Sequence, residues 1–130
     1  MADASAFLAK ADESLASAED DLVKGRYNSC ARNGYYAAFQ SAVAALSKSG
    51  ISPTGLRWSH EFVHAQFGGM LVYRRKLYDS AFRALLDDSF RVRVDADYTN
   101  KQIRERNVSR ILSRIRELVA DVKGRIDGYS

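Results

Sequence analysis

The stretch ARNGYYAAFQSAVAAL, residues 31–46, decides how the chain folds. Ala31, Tyr35, Ala38, Phe39, Ala42 and Leu46 recur at three- and four-residue spacing, which draws one apolar face along a helix. The alanines between them are small enough to let neighbouring elements come close. Arg32 and the adjacent Tyr35 and Tyr36 break this pattern, because a guanidinium and two phenols are costly to bury unless their polar ends find partners. One helical turn sets all three near one another. The stretch therefore predicts a central helix carrying a polar cluster.

Working outward, the same periodicity recurs on both sides. Phe7, Leu8, Ala11, Leu15, Ala18 and Leu22 form one stripe of a first helix, closed by Lys24 and Gly25. The second helix starts near Tyr27, and Lys48 with Gly50 repeats the same stop. Residues 49–59, SGISPTGLRWS, hold the only proline and two glycines and are predicted as a loop. Ser59 caps a short third helix through Phe62, Val63 and Phe67, ended by Gly68 and Gly69. Leu77, Tyr78, Ala81 and Leu85 mark a fourth helix running to about Asp87. SFRVRVDADYTN, residues 89–100, alternates apolar and charged side chains and is predicted as an extended connector. The last helix carries Val108, Ile111, Leu112, Ile115, Leu118, Val119, Val122 and Ile126 on one side, and Arg106, Arg110 and Arg114 on the other. These elements predict an all-α, antiparallel up-and-down bundle of four to five helices, in a single domain over residues 1–130.

Composition narrows the function. Hydrophobic residues make up 46% and charged residues 28%, a globular balance. A lone cysteine, Cys30, excludes an internal disulfide and suits a reducing compartment. No leader pattern opens the chain and no apolar run is long enough to span a bilayer, so a cytoplasmic protein without a membrane partner is expected. The net charge of +4 is unevenly spread, with acidic residues gathered in 1–24 and basic ones in 101–125. That asymmetry fits an anionic partner, and it equally fits the two ends packing together.

The chemistry-bearing residues are few. His60 and His64 lie at i and i+4 with Glu61 beside the first, the literal letters of a zinc-protease helix. The short helix and the absence of a later histidine argue against that reading, so no metal and no cofactor are expected. Arginine with histidine can also act on RNA without a metal, one clamping phosphate and the other moving a proton. Arg57 and His64, with six residues between them, could form such a pair, but with 14 arginines in the chain that spacing alone carries little. Arg106, Arg110 and Arg114 could bind phosphates, or form a solvated face with Glu117 and Asp121 as partners.

GRYNSCARNGYYAAFQSAVAAL, residues 25–46, resembles the central signature of the HEPN superfamily, and of its small stand-alone bacterial and archaeal members in particular. A Gly-x-Tyr start precedes Ala31, Tyr35, Tyr36, Ala37 and Phe39; His60 then opens the third helix, Phe67 follows, and Arg93-Val94-Asp95-Ala96-Asp97-Tyr98 comes in family order. The resemblance spans about residues 4 to 126. It implies a helical bundle, usually a homodimer, that works on RNA or nucleotides, often as a toxin-like, toxin–antitoxin or defence component. A nucleotidyltransferase or antitoxin partner is implied with it. Many members are metal-independent ribonucleases in which an arginine and a histidine four to six residues beyond it line a cleft at the dimer interface. Arg93 matches the family arginine and Tyr98 the family tyrosine, but no histidine follows Arg93, and Gln40 stands where the family often has another.

The expected site therefore comprises Arg93, Asp97 and His60 for catalysis, and Arg32, Tyr35, Tyr36 and Tyr98 for binding RNA or nucleotide. The expected function is RNA or nucleotide binding with weak or absent ribonuclease activity. Two rival readings stand beside it: a non-enzymatic helical interaction module, and an active ribonuclease using His60 or His64.

Overall fold

A computed structural model describes residues 2–127. It contains α1 (Ala2–Val23), α2 (Tyr27–Lys48), α3 (His60–Gln66), α4 (Ser80–Tyr98) and α5 (Glu105–Asp127), with a π-helical segment, Phe67–Arg74, continuing α3. Among the described residues there is no strand, and no helix is long and apolar enough to cross a membrane.

The central position of α2 follows from its small residues. It touches every other helix and the π-helical segment. Ala37, Ala38, Ala42, Val43, Ala44, Ala45 and Leu46 are all buried, so its second half is enclosed on every side. Gly34 marks the closest approach: a Cβ there would lie 3.3 Å from Ile115 Cδ1 on α5. Both predicted helix stops hold. Gly25 (φ 75°) and Gly50 (φ 82°) take the left-handed conformation, and paired hydrogen bonds close each end. The Arg26 amide donates to the Asp21 carbonyl at 2.8 Å, and the Ile51 amide to the Leu46 carbonyl at 2.9 Å.

The amphipathic last helix buries Val108, Leu112, Ile115, Leu118, Val119 and Val122. Part of the charge asymmetry is answered between the two end helices, where Arg116 meets Glu19 at 2.7 Å and Lys123 meets Asp12 at 3.2 Å. The acidic first helix and the basic last one pack against each other. These pairs are half exposed, so they orient the helices more than they stabilise them.

Three elements differ from the sequence expectation. The third helix does not stop at Gly68 and Gly69; the chain runs on through Arg74 in a wider π-helical turn. Gly68 is buried there because the Arg83 side chain crosses it, and a Cβ would sit 2.9 Å from Arg83 Nε. The fourth helix begins at Ser80, capped by Asp79, whose carboxylate accepts from the Ala81 amide at 2.9 Å. Tyr78 precedes it and packs on Phe67, with ring centroids 5.3 Å apart. The largest difference is residues 89–98, which are helical and complete α4 rather than forming an extended connector. As a helix they bring Phe90, Arg93 and Asp97 onto one face over α2 and α3, whereas Val92 and Ala96 pack on the Cys30, Ala31, Val108 and Leu112 cluster. Burial on two sides outweighs the period-two pattern and the β preference of the valines.

Candidate functional site

The site lies where α4 crosses α2 and α3. Arg32 and Tyr36, one turn apart on α2, face α4. Asp97 receives two guanidiniums: Arg32 Nε donates to its Oδ1 at 2.8 Å, and Arg93 Nε lies 3.2 Å from its Oδ2. The second contact is an ion pair without hydrogen-bond alignment, which leaves Arg93 Nε buried with no hydrogen-bond partner. Arg93 Nη2 makes one long bond, donating to the Tyr36 hydroxyl at 3.4 Å, and its guanidinium carbon stands 5.5 Å from the centre of that ring. Two positive charges thus share one carboxylate. Arg93 is only 15% exposed at its side chain and has five donors to satisfy, few of which are used.

The histidines of α3 converge on α2 from the other side. Ser59 Oγ accepts from the Phe62 amide at 3.1 Å and fixes the start of α3, so His60 and His64 fall on one face. That face meets Tyr35, which is fully buried. The Tyr35 hydroxyl lies 2.8 Å from His60 Nδ1 and 2.8 Å from His64 Nε2, while His64 Nδ1 is 3.2 Å from Asp87 Oδ1 on α4. Phe90 closes over the cluster, with its ring centroid 5.3 Å from those of Tyr35 and His60 and 5.7 Å from that of His64. Burial pushes the Tyr35 phenol well above its ordinary pKa, so it keeps its proton. Burial, the nearby Arg93 charge and His64 together lower the His60 pKa, against a smaller opposing effect of Glu61. His60 is consequently a neutral imidazole near pH 7, close to an arginine.

The zinc-protease reading of His60 and His64 loses its geometry here. The nitrogens that would chelate an ion between the two rings are turned onto one tyrosine hydroxyl, and the other ring nitrogen of His64 onto a carboxylate. Among the described residues, no group of three or more histidine, cysteine or acidic side chains is placed to hold a metal ion.

The structure brings six of the seven expected site residues together: Arg93, Asp97, Arg32 and Tyr36 in one cluster, with Tyr35 and His60 in the adjoining one. Tyr98, the seventh, ends α4 and is 73% exposed. Sequence reasoning missed Asp87 and Phe90, which no motif marks; only the helical reading of 89–98 places Phe90 one turn before Arg93. Gln40 points elsewhere. Its amide sits 2.7 Å from Ser14 Oγ and within 3.1 Å of the Lys10 and Tyr36 carbonyls, tying α2 to α1. Cys30 is fully buried and its thiol is raised to about 11, mainly by burial, as befits a core residue. On α5, Arg110 and Arg114 face solvent across a groove of 410 Å³ shared with Asp88, Arg91 and Asp95, and Asp121 pairs with Arg125 at 3.0 Å.

No curated protein matches the chain. The family model described as HEPN domain matches residues 4–125, nearly the whole length, and it supports an all-α fold with an RNA- or nucleotide-related role. The order of signature residues in α2, the histidine opening α3 and the Arg93–Tyr98 segment fall within that match, and the chain belongs to the HEPN family.

Proposed function

We propose that the chain binds RNA or a nucleotide through its phosphates, at the surface where Arg32, Arg93 and His60 meet, as a toxin-like or defence component of the cytoplasm. The observation that carries this is the unbalanced charge of the arginine pair. Two guanidiniums share Asp97, and Arg93 is mostly buried with donors to spare, one of them without any hydrogen-bond partner. A phosphate oxygen at the remaining Nη donors, rather than at the enclosed Nε, supplies an acceptor and the missing negative charge, and a guanidinium fork suits it better than an ammonium does. Tyr98, exposed at the end of the same helix, supplies a ring for stacking. Asp97 aims the two arginines in this reading, with one oxygen facing each guanidinium.

The test is binding of labelled single-stranded RNA and of ATP by wild type and Arg93→Ala. Wild type is expected to bind one of them with salt-sensitive affinity, and the variant on the order of a hundredfold more weakly. Neither ligand bound above background by wild type ends the proposal.

A second reading, ribonuclease action by His60, is supported by the position of that imidazole. It is neutral and near Arg93, so one group can clamp a phosphate while the other accepts the 2′-hydroxyl proton. The 2′-oxygen then bonds to phosphorus, the 5′-oxygen leaves with a proton from water, and His60 returns its proton to solvent. RNA that stays intact with wild type and His60→Ala alike leaves binding as the whole function. A homodimer and a nucleotidyltransferase or antitoxin are the partners this reading implies. Light scattering on the purified chain tests the first, and co-purification with the product of the neighbouring gene the second.

A further inference from the structure

We propose that Asp87, His64 and Tyr35 form a hydrogen-bonded chain that fixes the tautomer of His60, leaving its Nε2 as the unprotonated nitrogen. The inference rests on the ribonuclease reading only for its purpose; the proton arrangement itself follows from the geometry.

The chain has a direction because one end can only accept. A carboxylate oxygen accepts, so the contact of half-exposed Asp87 Oδ1 with His64 Nδ1 at 3.2 Å calls for the proton on that nitrogen. With that imidazole neutral, its Nε2 bears a lone pair and must accept from Tyr35 across 2.8 Å. The tyrosine has one proton, and it is now committed. Its oxygen can therefore only accept on the other side, where His60 Nδ1 stands at 2.8 Å. His60 must carry its proton on Nδ1, and Nε2 is bare. Every other assignment with both imidazoles neutral leaves two donors or two acceptors face to face at one of these three contacts, the two to Tyr35 part-buried and the one to Asp87 nearer solvent.

The arrangement has a chemical use. A free histidine side chain in water favours the proton on Nε2, which would leave the basic nitrogen turned toward Tyr35. The chain reverses that preference, so the nitrogen left free to take a proton is the one not held by Tyr35, on a partly exposed ring near Arg93. Tyr35, His64 and Asp87 are thus positioning residues for His60, in the way that a carboxylate orients a catalytic imidazole in hydrolases on other folds. The charged and titratable groups that act on His60 are Arg93 on α4 and His64 and Glu61 on α3, with Tyr35 of α2 bonded to it, while Asp87 and Tyr36 act on Tyr35. Of these, only Tyr35 is hydrogen-bonded to the imidazole.

The direct test is ¹⁵N NMR of the histidine rings in the full, ligand-free chain above pH ~8, beyond the ordinary imidazole range of about 6.5. Wild-type His60 is expected as the Nδ1–H tautomer. Tyr35→Phe keeps the buried ring but removes the hydroxyl, and should move His60 to the Nε2–H form. Asp87→Ala, at a half-exposed position that the fold tolerates, should yield a mixture of the two forms. An Nε2–H signature in wild type overturns the proposal, as does a tautomer unmoved by Tyr35→Phe. RNA cleavage gives a second readout: Tyr35→Phe should lower kcat on the order of ten- to a hundredfold with KM little changed. Wild type that shows the Nδ1–H signature but cleaves no RNA leaves the chain standing and removes the ribonuclease reading alone.

Discussion

Two polar clusters lie on different sides of the first half of α2, and their contrast separates structure from function. Toward α1, Asp21 is 4% exposed and accepts from Ser29 at 2.7 Å, from Asn33 at 2.9 Å and from Arg26 at 2.9 Å. Burial raises its pKa as the largest single effect, yet the three donors together outweigh it and hold the carboxyl below its ordinary value. Toward α4, Asp97 serves two arginines, and Arg93 is left with unused donors. The first cluster is closed, with each partner answered within the chain. The second is open and positive. A buried network that is fully satisfied holds a fold together, whereas one with surplus donors is completed by a ligand.

The largest expected effect breaks the open cluster. Arg93→Ala should weaken RNA or nucleotide binding on the order of a hundredfold, roughly 2.7 kcal/mol, while the melting temperature moves little because Arg32 still neutralises Asp97. Arg93→Lys sharpens the point by keeping the charge and losing the fork, with an expected loss of about tenfold. Equal binding by wild type and both variants would mean that the cluster is merely structural.

The closed cluster should respond in the opposite sense. Asp21→Ala strands the Ser29 and Asn33 donors and should destabilise the fold by about 2 kcal/mol in urea titrations, with ligand affinity unchanged. Its pH dependence carries a definite sign. Because the folded pKa of Asp21 is depressed, its contribution is fully present above the unfolded value of about 3.9 and is lost as pH falls through the folded one. The gap between the stability curves of wild type and Asp21→Ala should therefore narrow as pH falls below the unfolded value, leaving the pH-independent cost of the stranded donors. Curves that stay parallel throughout that fall would refute the assignment.

How far the sequence discloses this contrast depends on the element. The apolar stripes of α1, α2 and α5, and the stops at Gly25 and Gly50, are local signals, and the folded chain keeps them. Residues 89–98 carry conflicting local signals, since Phe90, Val92, Val94 and Ala96 alternate as a strand would while the contacts of Phe90, Arg93 and Asp97 require a helix. Only packing against α2 and α5 resolves that conflict. Gly68 and Gly69 read as a stop because glycine ends helices, and the space that Arg83 occupies over Gly68 is invisible in one dimension. Arg93, Asp97 and Tyr36 are legible through family resemblance, and Arg32 through its place one helical turn from the tyrosines. Asp87 is not, because its value comes wholly from a contact 23 residues away in sequence.

Gln40 makes the smallest and most pointed test of the comparison. By sequence its glutamine stands where the family often has a histidine, which suggests a lost catalytic group. In the fold it belongs with the structural side of α2, where its amide reaches Ser14, the Lys10 carbonyl and the Tyr36 carbonyl. Gln40→His should therefore restore no chemistry: an imidazole there faces α1 and remains remote from the Arg93 donors. Losing part of a three-way amide tie should cost about 1 kcal/mol of stability, seen as a small fall in melting temperature. RNA binding and cleavage should match wild type. A gain in cleavage by Gln40→His would show that position 40 does reach the open cluster, and would move the boundary between the two sides of α2.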